Sequence, residues 1–412
     1  MSDYYIPFTK EMKKTHTILT PNMLPIHFRL LMKVLQEYGY KTELLETSGS
    51  NIREMGLKYV HNDACYPALL VIGQFIDAIE SGKYDPHKVA LIYFQTGGGC
   101  RASNYISLLR KALKRAGYGY VPVISFSMLD IEKHPGFKLS LRAMRKVVYA
   151  ILYGDLIMHL KNQVDPYEKV KGSAAALADA LSDELLKRLD TDGVSIRKLK
   201  DNMRYICGEF EKIEVEKRDC IQVGVVGEIY VKFSPLGNNR LAEFLVNEGA
   251  EVTMAGLLDF FLYCVHNNVI ESSKYGFNAL KRPVMNVLYK ILCSVKGLMI
   301  RIIEESGRFK PFARFEDTAE RAKEIINLHC KMGEGWLLPA EMLELYHLGV
   351  KNIVCTQPFG CLPNHICGKG MMKPLKDKYP DMNIVAIDYD PGVTQVNLEN
   401  RLKLMLANSK IA

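Results

Sequence analysis

Apolar and polar positions in the first third of the chain follow a strand–helix rhythm. Residues 15–19 read as a short strand closed by Thr20-Pro21, and residues 24–38 carry apolar side chains at helical spacing until Gly39 stops them. Residues 41–45 read as a second strand. Residues 65–80 read as a helix, capped by Asn62 or Asp63 and ended by Ser81-Gly82-Lys83. Residues 89–94 form a continuous apolar run of strand length, the mark of a strand buried on both faces. A helix over 102–116 and a strand over 120–125 complete the unit. This βαβ rhythm predicts a parallel sheet with helices on both faces.

The pattern then changes. About 137–210 is helical, most clearly over 174–189, with Ser173 as the expected N-cap. A second α/β unit opens near Ile221. It has strands at 222–226, 251–254, 352–355 and 384–388, and helices at 239–248, 342–347, 370–378 and 393–406. A long helical stretch interrupts it at about 276–305, with Arg282-Pro283 marking a helix start. The expected fold is therefore α/β with two Rossmann-like parallel-sheet domains. The first covers 1–135; a helical bridge covers 136–218; the second domain covers 219–412 and holds a helical insertion at about 276–330.

Composition sharpens this picture. The 412 residues exceed one ordinary core and suit two or three domains of roughly 100–200 residues each. With 48% hydrophobic and 24% charged residues, the mixture is that of a soluble globular protein. The net charge of +8 is mild and scattered, with no dense basic tract interleaved with aromatics, so nucleic acid is not an expected partner. The N-terminal residues show no basic segment followed by an apolar one. The longest apolar stretch noted, 147–158, contains Gly154 and Asp155 and is too short for a bilayer. The expectation is a cytoplasmic protein without membrane contact.

In that compartment the ten cysteines are not a disulfide framework, so the question is which of them are ligands. Cys100 follows a buried strand and Gly97-Gly98-Gly99, and it precedes a helix. Glycines there let backbone N–H groups turn toward one point, and a helix start adds positive potential. Gly98 and Gly99 are thus candidate cofactor contacts, and the setting suits thiolate, cluster sulfide or phosphate. The turn matches neither a Walker loop nor a dinucleotide fingerprint; equally, it reads as a glycine turn with an incidental cysteine. Cys355, Cys361 and Cys367 lie in a Pro- and Gly-shaped loop at a spacing wider than zinc pairs use. Cys355 and Cys367 read either as ligands or as strand-end and core residues, while Cys361 is the favoured ligand. Cys65 opens a helix. Cys207, before Gly208, is left open, and the remaining four read as buried apolar side chains. Glu228 and Glu334, each following a glycine near these loops, are candidate acid–base groups. Gln357 and His365 flank Cys361 and are candidates to hydrogen-bond a cofactor there.

Five blocks carry a resemblance: Tyr59-Val60-His61-Asn62-Asp63-Ala64-Cys65-Tyr66-Pro67-Ala68; Gln95 through Tyr105; Val225 through Ile229 with Lys232-Phe233; Gly333-Glu334-Gly335-Trp336-Leu337-Leu338; and Gln357 through His365. Together they resemble the 2-hydroxyacyl-CoA dehydratase superfamily, and within it the C-terminal part of the large dehydratase-activase-related proteins. The likeness spans about 15–406. It implies an oxygen-sensitive iron–sulfur cluster, [4Fe–4S] or double-cubane, with Cys65, Cys100 and Cys361 as ligands and Cys355 and Cys367 available for a larger group. It also implies a partner, an ATP-hydrolysing activator protein with its own iron–sulfur cluster that supplies single low-potential electrons. The reaction implied is radical dehydration or reduction of a CoA thioester or a small molecule; the alternative is a non-catalytic electron carrier. A homodimer matching a two-fold activator is expected. The chain departs from the activators in having no Asp-x-Gly-Ser/Thr phosphate loop, so ATP chemistry is expected from another protein.

Overall fold

The structure, a computed structural model, describes residues 5–61, 63–94, 99–126, 134–191, 195–276 and 279–409. The chain first runs α1 (Lys10–Thr15), β1 (Thr17–Pro21), α2 (Pro25–Glu37), β2 (Lys41–Leu45), α3 (Ser50–Tyr59), α4 (Tyr66–Glu80), β3 (Val89–Phe94), α5 (Tyr105–Arg115) and β4 (Val123–Phe126). Three helices follow: α6 (Leu141–Val164), α7 (Ser173–Thr191) and α8 (Ile196–Glu211). A second α/β run begins with β5 (Ile221–Gly227), α9 (Ile229–Phe233), α10 (Pro235–Asn238), α11 (Leu241–Asn247) and β6 (Ala250–Thr253). It continues through α12 (Leu257–Tyr275), α13 (Arg282–Ser306), α14 (Phe315–Ala322), α15 (Leu337–His347), β7 (Asn352–Pro358), α16 (Met372–Lys378), β8 (Asn383–Tyr389) and α17 (Gln395–Ser409).

The protein is α/β, with two four-stranded sheets that are parallel throughout. They share one strand order, β2-β1-β3-β4 and β6-β5-β7-β8. In each half the chain starts mid-sheet, steps outward, then returns across its first strand. The order therefore reverses between β1 and β3 and again between β5 and β7, where open parallel sheets place their ligands. β5 and β7 lie close: Val226 pairs with Cys355 and Gly227 with Thr356. Gly227 has φ +143°, and a Cβ added there would sit 2.1 Å from Thr356 Oγ1, so the strands close only over glycine.

Two apolar cores tie these parts together. One joins Ile18, Ala90 and Ile92 of the first sheet to α6–α8 and to α12–α13. The other runs from Leu19, Val89 and Leu91 of the first sheet to Val223, Val225 and Val354 of the second. A buried carboxylate adds a polar tie. Asp155 of α6 accepts from the Leu257 and Leu258 N–H groups at 2.6 and 2.9 Å, and its Oδ1 lies 2.8 Å from His27 Nε2 on α2. It thereby satisfies the free N–H groups that open α12.

Several elements depart from the pattern-based expectation. β7 runs on through Thr356, Gln357 and Pro358, because pairing with β5 and β8 satisfies the backbone there and buries the polar side chains. Helical structure begins at Leu257 and not near Gly276, which is the αL stop of α12. α12 is apolar on most of its faces, so its helical period is faint. Ser173 is the first residue of α7 and its hydroxyl donates, so the capping acceptor is Glu168, whose carboxylate accepts from the Gly172 N–H, the Ser173 hydroxyl and the Ala174 N–H. The exposed Asp63 pairs with His61 and does not cap α4; Asn62 lies outside the described residues. Residues 147–158 fall inside α6. Among the described residues, α13 is the one helix long and apolar enough by composition to cross a bilayer, with 33% of its apolar window buried in the fold.

Candidate functional site

Each of three predicted cysteines sits where a helical turn begins. Cys65 is the N-cap of α4, with Pro67 in the first turn. Cys100 is the N-cap of a 3-10 turn, Arg101–Asn104, that leads into α5. Cys361 precedes a helical turn that widens into the π-helix Asn364–Gly368. A helix start leaves its first N–H groups without helical partners. Neither Cys65 nor Cys100 accepts a side-chain cap bond, and Ser103 N–H donates to the Cys100 carbonyl at 3.2 Å. The nearby N–H groups of Ala68, Ala102 and Asn364 pull the Cys65, Cys100 and Cys361 thiols downward against the larger effect of burial. Such dipoles favour thiolate.

Glycines bring the three turns together. Tyr66 N–H donates to Phe359 O at 2.9 Å, and a Cβ on Gly360 would lie 3.2 Å from Cys65 Cα. A Cβ on Gly333 would lie 2.5 Å from Pro363 Cγ and 3.8 Å from Cys100 Sγ. Gly99 N–H donates to Met332 Sδ at 3.2 Å, and a Cβ on Gly99 would lie 2.3 Å from that sulfur. The loop after β7 thus touches the Cys65 turn on one side and, through Gly333, the Cys100 turn on the other. Gly98 lies outside the described residues.

Two carboxyls bracket the start of α9 beside these thiols. Glu228 caps the helix, its Oε2 accepting from Val231 N–H at 2.9 Å. Glu334 Oε1 accepts from Ile229 N–H at 3.0 Å. Burial, reinforced by the charge of Glu334, pushes Glu228 up to about 8; burial likewise holds Glu334 above the usual carboxyl range. Burial also pushes Cys65 up to about 11, with the Glu228 charge adding to it. Cys100 and Cys361 are raised by burial and by both glutamates.

This donor set fits an iron–sulfur cluster. Two buried thiols, Cys65 and Cys361, and the half-buried Cys100 come from separate turns and are soft ligands. Burial and the neighbouring carboxyls hold them protonated, and a bound cationic group would convert them to thiolates with proton release. Among the described residues, no three Cys, His, Asp or Glu side chains are grouped closely enough to hold a single ion.

The other candidates are placed differently. Cys355 is inside β7, fully buried, and Asn364 stands between it and Cys361, 3.9 Å from Cys355 Sγ and 3.8 Å from Cys361 Sγ. Cys367 is buried near the end of the π-helical turn. Cys207 is a core residue of α8. Gln357 is fully buried and bonds to the ring of the exposed His365, while its Oε1 has no partner among the described residues.

Two features escaped the sequence reading. Tyr105 hydroxyl lies 2.8 Å from Cys65 Sγ and its ring stacks on Tyr93, with centroids 5.4 Å apart. An aromatic early in a helix reads as packing, so nothing marked it. Lys232 is buried and holds Glu341, 109 residues away, at 2.9 Å, and nothing in its local sequence marked that partner.

No protein-family model matches this chain, and no curated protein matches it at a significant level.

Proposed function

We propose that this chain is the iron–sulfur component of an activator-driven, low-potential electron-transfer system of the 2-hydroxyacyl-CoA dehydratase type, with Cys65, Cys100 and Cys361 as cluster ligands. The observation that carries this reading is the packing together of the three turns that bear Cys65, Cys100 and Cys361, from two α/β halves of the same strand order. When bound, the cluster would accept single electrons and pass them to a small molecule or a CoA thioester.

The chain's own residues have separable roles. The Ala68, Ala102 and Asn364 N–H groups favour the charged form of the three sulfurs. The Tyr105 hydroxyl, 2.8 Å from Cys65 Sγ, is placed to donate to that sulfur in its thiolate form. Glu228, raised to about 8, holds a proton beside the sulfurs at neutral pH, with Glu334 raised by burial next to it, where an acid is needed if a substrate hydroxyl is to leave as water. That buried pair favours an enzyme over a plain electron carrier, which has no use for it. In this reading the helices of 136–218 bridge two Rossmann-like domains and those of about 276–330 are an insertion. The protein is cytoplasmic and forms a two-fold dimer that meets an ATP-hydrolysing activator.

The test is iron and acid-labile sulfide analysis of anaerobically purified protein. Wild type is expected to carry both. C65S, C100S and C361S are each expected to lose or alter the cluster spectrum, while C207S keeps it. Unchanged iron in all three variants would overturn the assignment.

A further inference from the structure

The first half of α13 stands clear of the core. From Leu292 onward the helix packs inward through Leu292, Cys293, Met299, Ile302 and Ile303, but before that point none of its residues is buried. Val284, Val287 and Ile291 of this free half are 65%, 58% and 53% exposed. Leu280, in the 3-10 turn Ala279–Lys281 that leads into the helix, is 97% exposed. Their spacing of four, three and four residues sets them in one stripe. Single exposed apolar side chains are ordinary, whereas a contiguous stripe marks a contact. The charge around it is of one sign. Between Glu271 and Glu304 the chain has no Asp or Glu. In that interval Lys274, Lys281, Arg282 and Lys290 are exposed and form no ion pair among the described residues. Glu304, Glu316 and Asp317 line the groove between α13 and α14, whose wall none of the four stripe residues enters.

We propose that this face docks on an anionic phospholipid surface, with Leu280, Val284, Val287 and Ile291 in the boundary between headgroups and acyl chains and the four cations against the headgroups. An apolar ridge with a positive rim is the makeup of a helix that lies in the membrane interface. The charge decides the occupant. A second copy of the chain would set Lys281, Arg282 and Lys290 against the same three cations, and like charges repel across an interface. A protein partner would need a preformed pocket for a leucine as exposed as Leu280, whereas acyl chains conform to it. The helix lies on the bilayer and does not cross it. Its free half, 282–291, is about 15 Å long, against about 30 Å of hydrocarbon, and the rest is held in the core. A chain without a spanning segment can make this contact, because an interfacial helix inserts only one face. The proposal is independent of the reading of the cysteine site.

Flotation of the full chain with phosphatidylserine–phosphatidylcholine vesicles tests this, with pure phosphatidylcholine vesicles as the comparison. Wild type is expected to float with the anionic vesicles, to float less as salt rises, and to stay behind with the neutral ones. Each cation near an anionic surface is worth about five-fold in binding, so K281Q/R282Q is expected to weaken it about ten-fold or more. R197Q/K200Q removes the same charge from α8 and is expected to change binding by less than about three-fold. L280N/V287N/I291N keeps every charge and is expected to abolish flotation. All the positions changed in α13 and its leading turn are exposed, so these variants keep the wild-type melt. A wild type that ignores anionic vesicles would overturn the proposal. So would an apolar-stripe variant that floats as well as wild type, or an R197Q/K200Q loss equal to that of K281Q/R282Q, since net charge alone would then explain binding. A dimer that L280N/V287N/I291N splits in light scattering, with no flotation of wild type, would overturn it in favour of a second copy on this face.

Discussion

Glu228 both caps α9 and titrates out of its usual range, and the two roles separate in a single substitution. Its folded-state value of about 8 lies above the unfolded value of about 4.3. The stability it contributes is fully present below the unfolded value and is lost as pH rises through about 8. Gln at this position still accepts from Val231 N–H but does not titrate. Metal-free E228Q is therefore expected to lose less thermal stability than wild type between about pH 5 and pH 8. Melting curves across that range check this, and equal slopes would place the linkage elsewhere. At this scale the cysteines were legible because glycine or proline neighbours mark a turn. Tyr105 and Lys232 were not, because their partners are 40 and 109 residues away.

The elements meet through glycines of two different kinds. At Gly99 the obstacle is the flexible Met332 side chain; at Gly227 it is backbone as well, with Thr356 O 2.2 Å from an added Cβ, and φ is positive. G99A is expected to cost about 1–3 kcal/mol, with most of it recovered in G99A/M332A. G227A is expected to cost about 3 kcal/mol or more, since neither strand can give way without breaking the ladder. Denaturant unfolding of the three variants decides it, and an equal loss for G99A with and without Met332 would show that the contact is not what matters. The strands and most helices were readable because their apolar periods are strong. α12 was not, since a helix buried on most faces shows little amphipathic period.

At the scale of the molecule, the cores do not stop at the boundaries that chain pattern suggests. Ile18 of the first sheet and Ile303 of α13 belong to one core, and Leu19 and Val223 to another. Unfolding is therefore expected as one calorimetric transition and not as separate domain melts. Asp155 joins α2, α6 and α12, so D155A strands two helix-opening N–H groups and the His27 ring in the interior. A loss of about 3–5 kcal/mol is expected, lowering that single transition as a whole. Two resolved peaks in scanning calorimetry would contradict the shared core.

The sequence by itself determined the α/β class, the approximate places of most strands, and the cysteines at glycine- and proline-shaped turns. These are local properties: apolar period, helix starts and stops, and the backbone freedom of a few residues. Tertiary structure alone decided that the two sheets repeat one strand order, and that the Cys65, Cys100 and Cys361 turns converge while Cys355 stays inside a strand. It also decided which buried charges pair, as Lys232 does with Glu341 and Asp155 with the start of α12. Those outcomes depend on which distant segments share a sheet edge or a core, and local pattern carries no record of that choice.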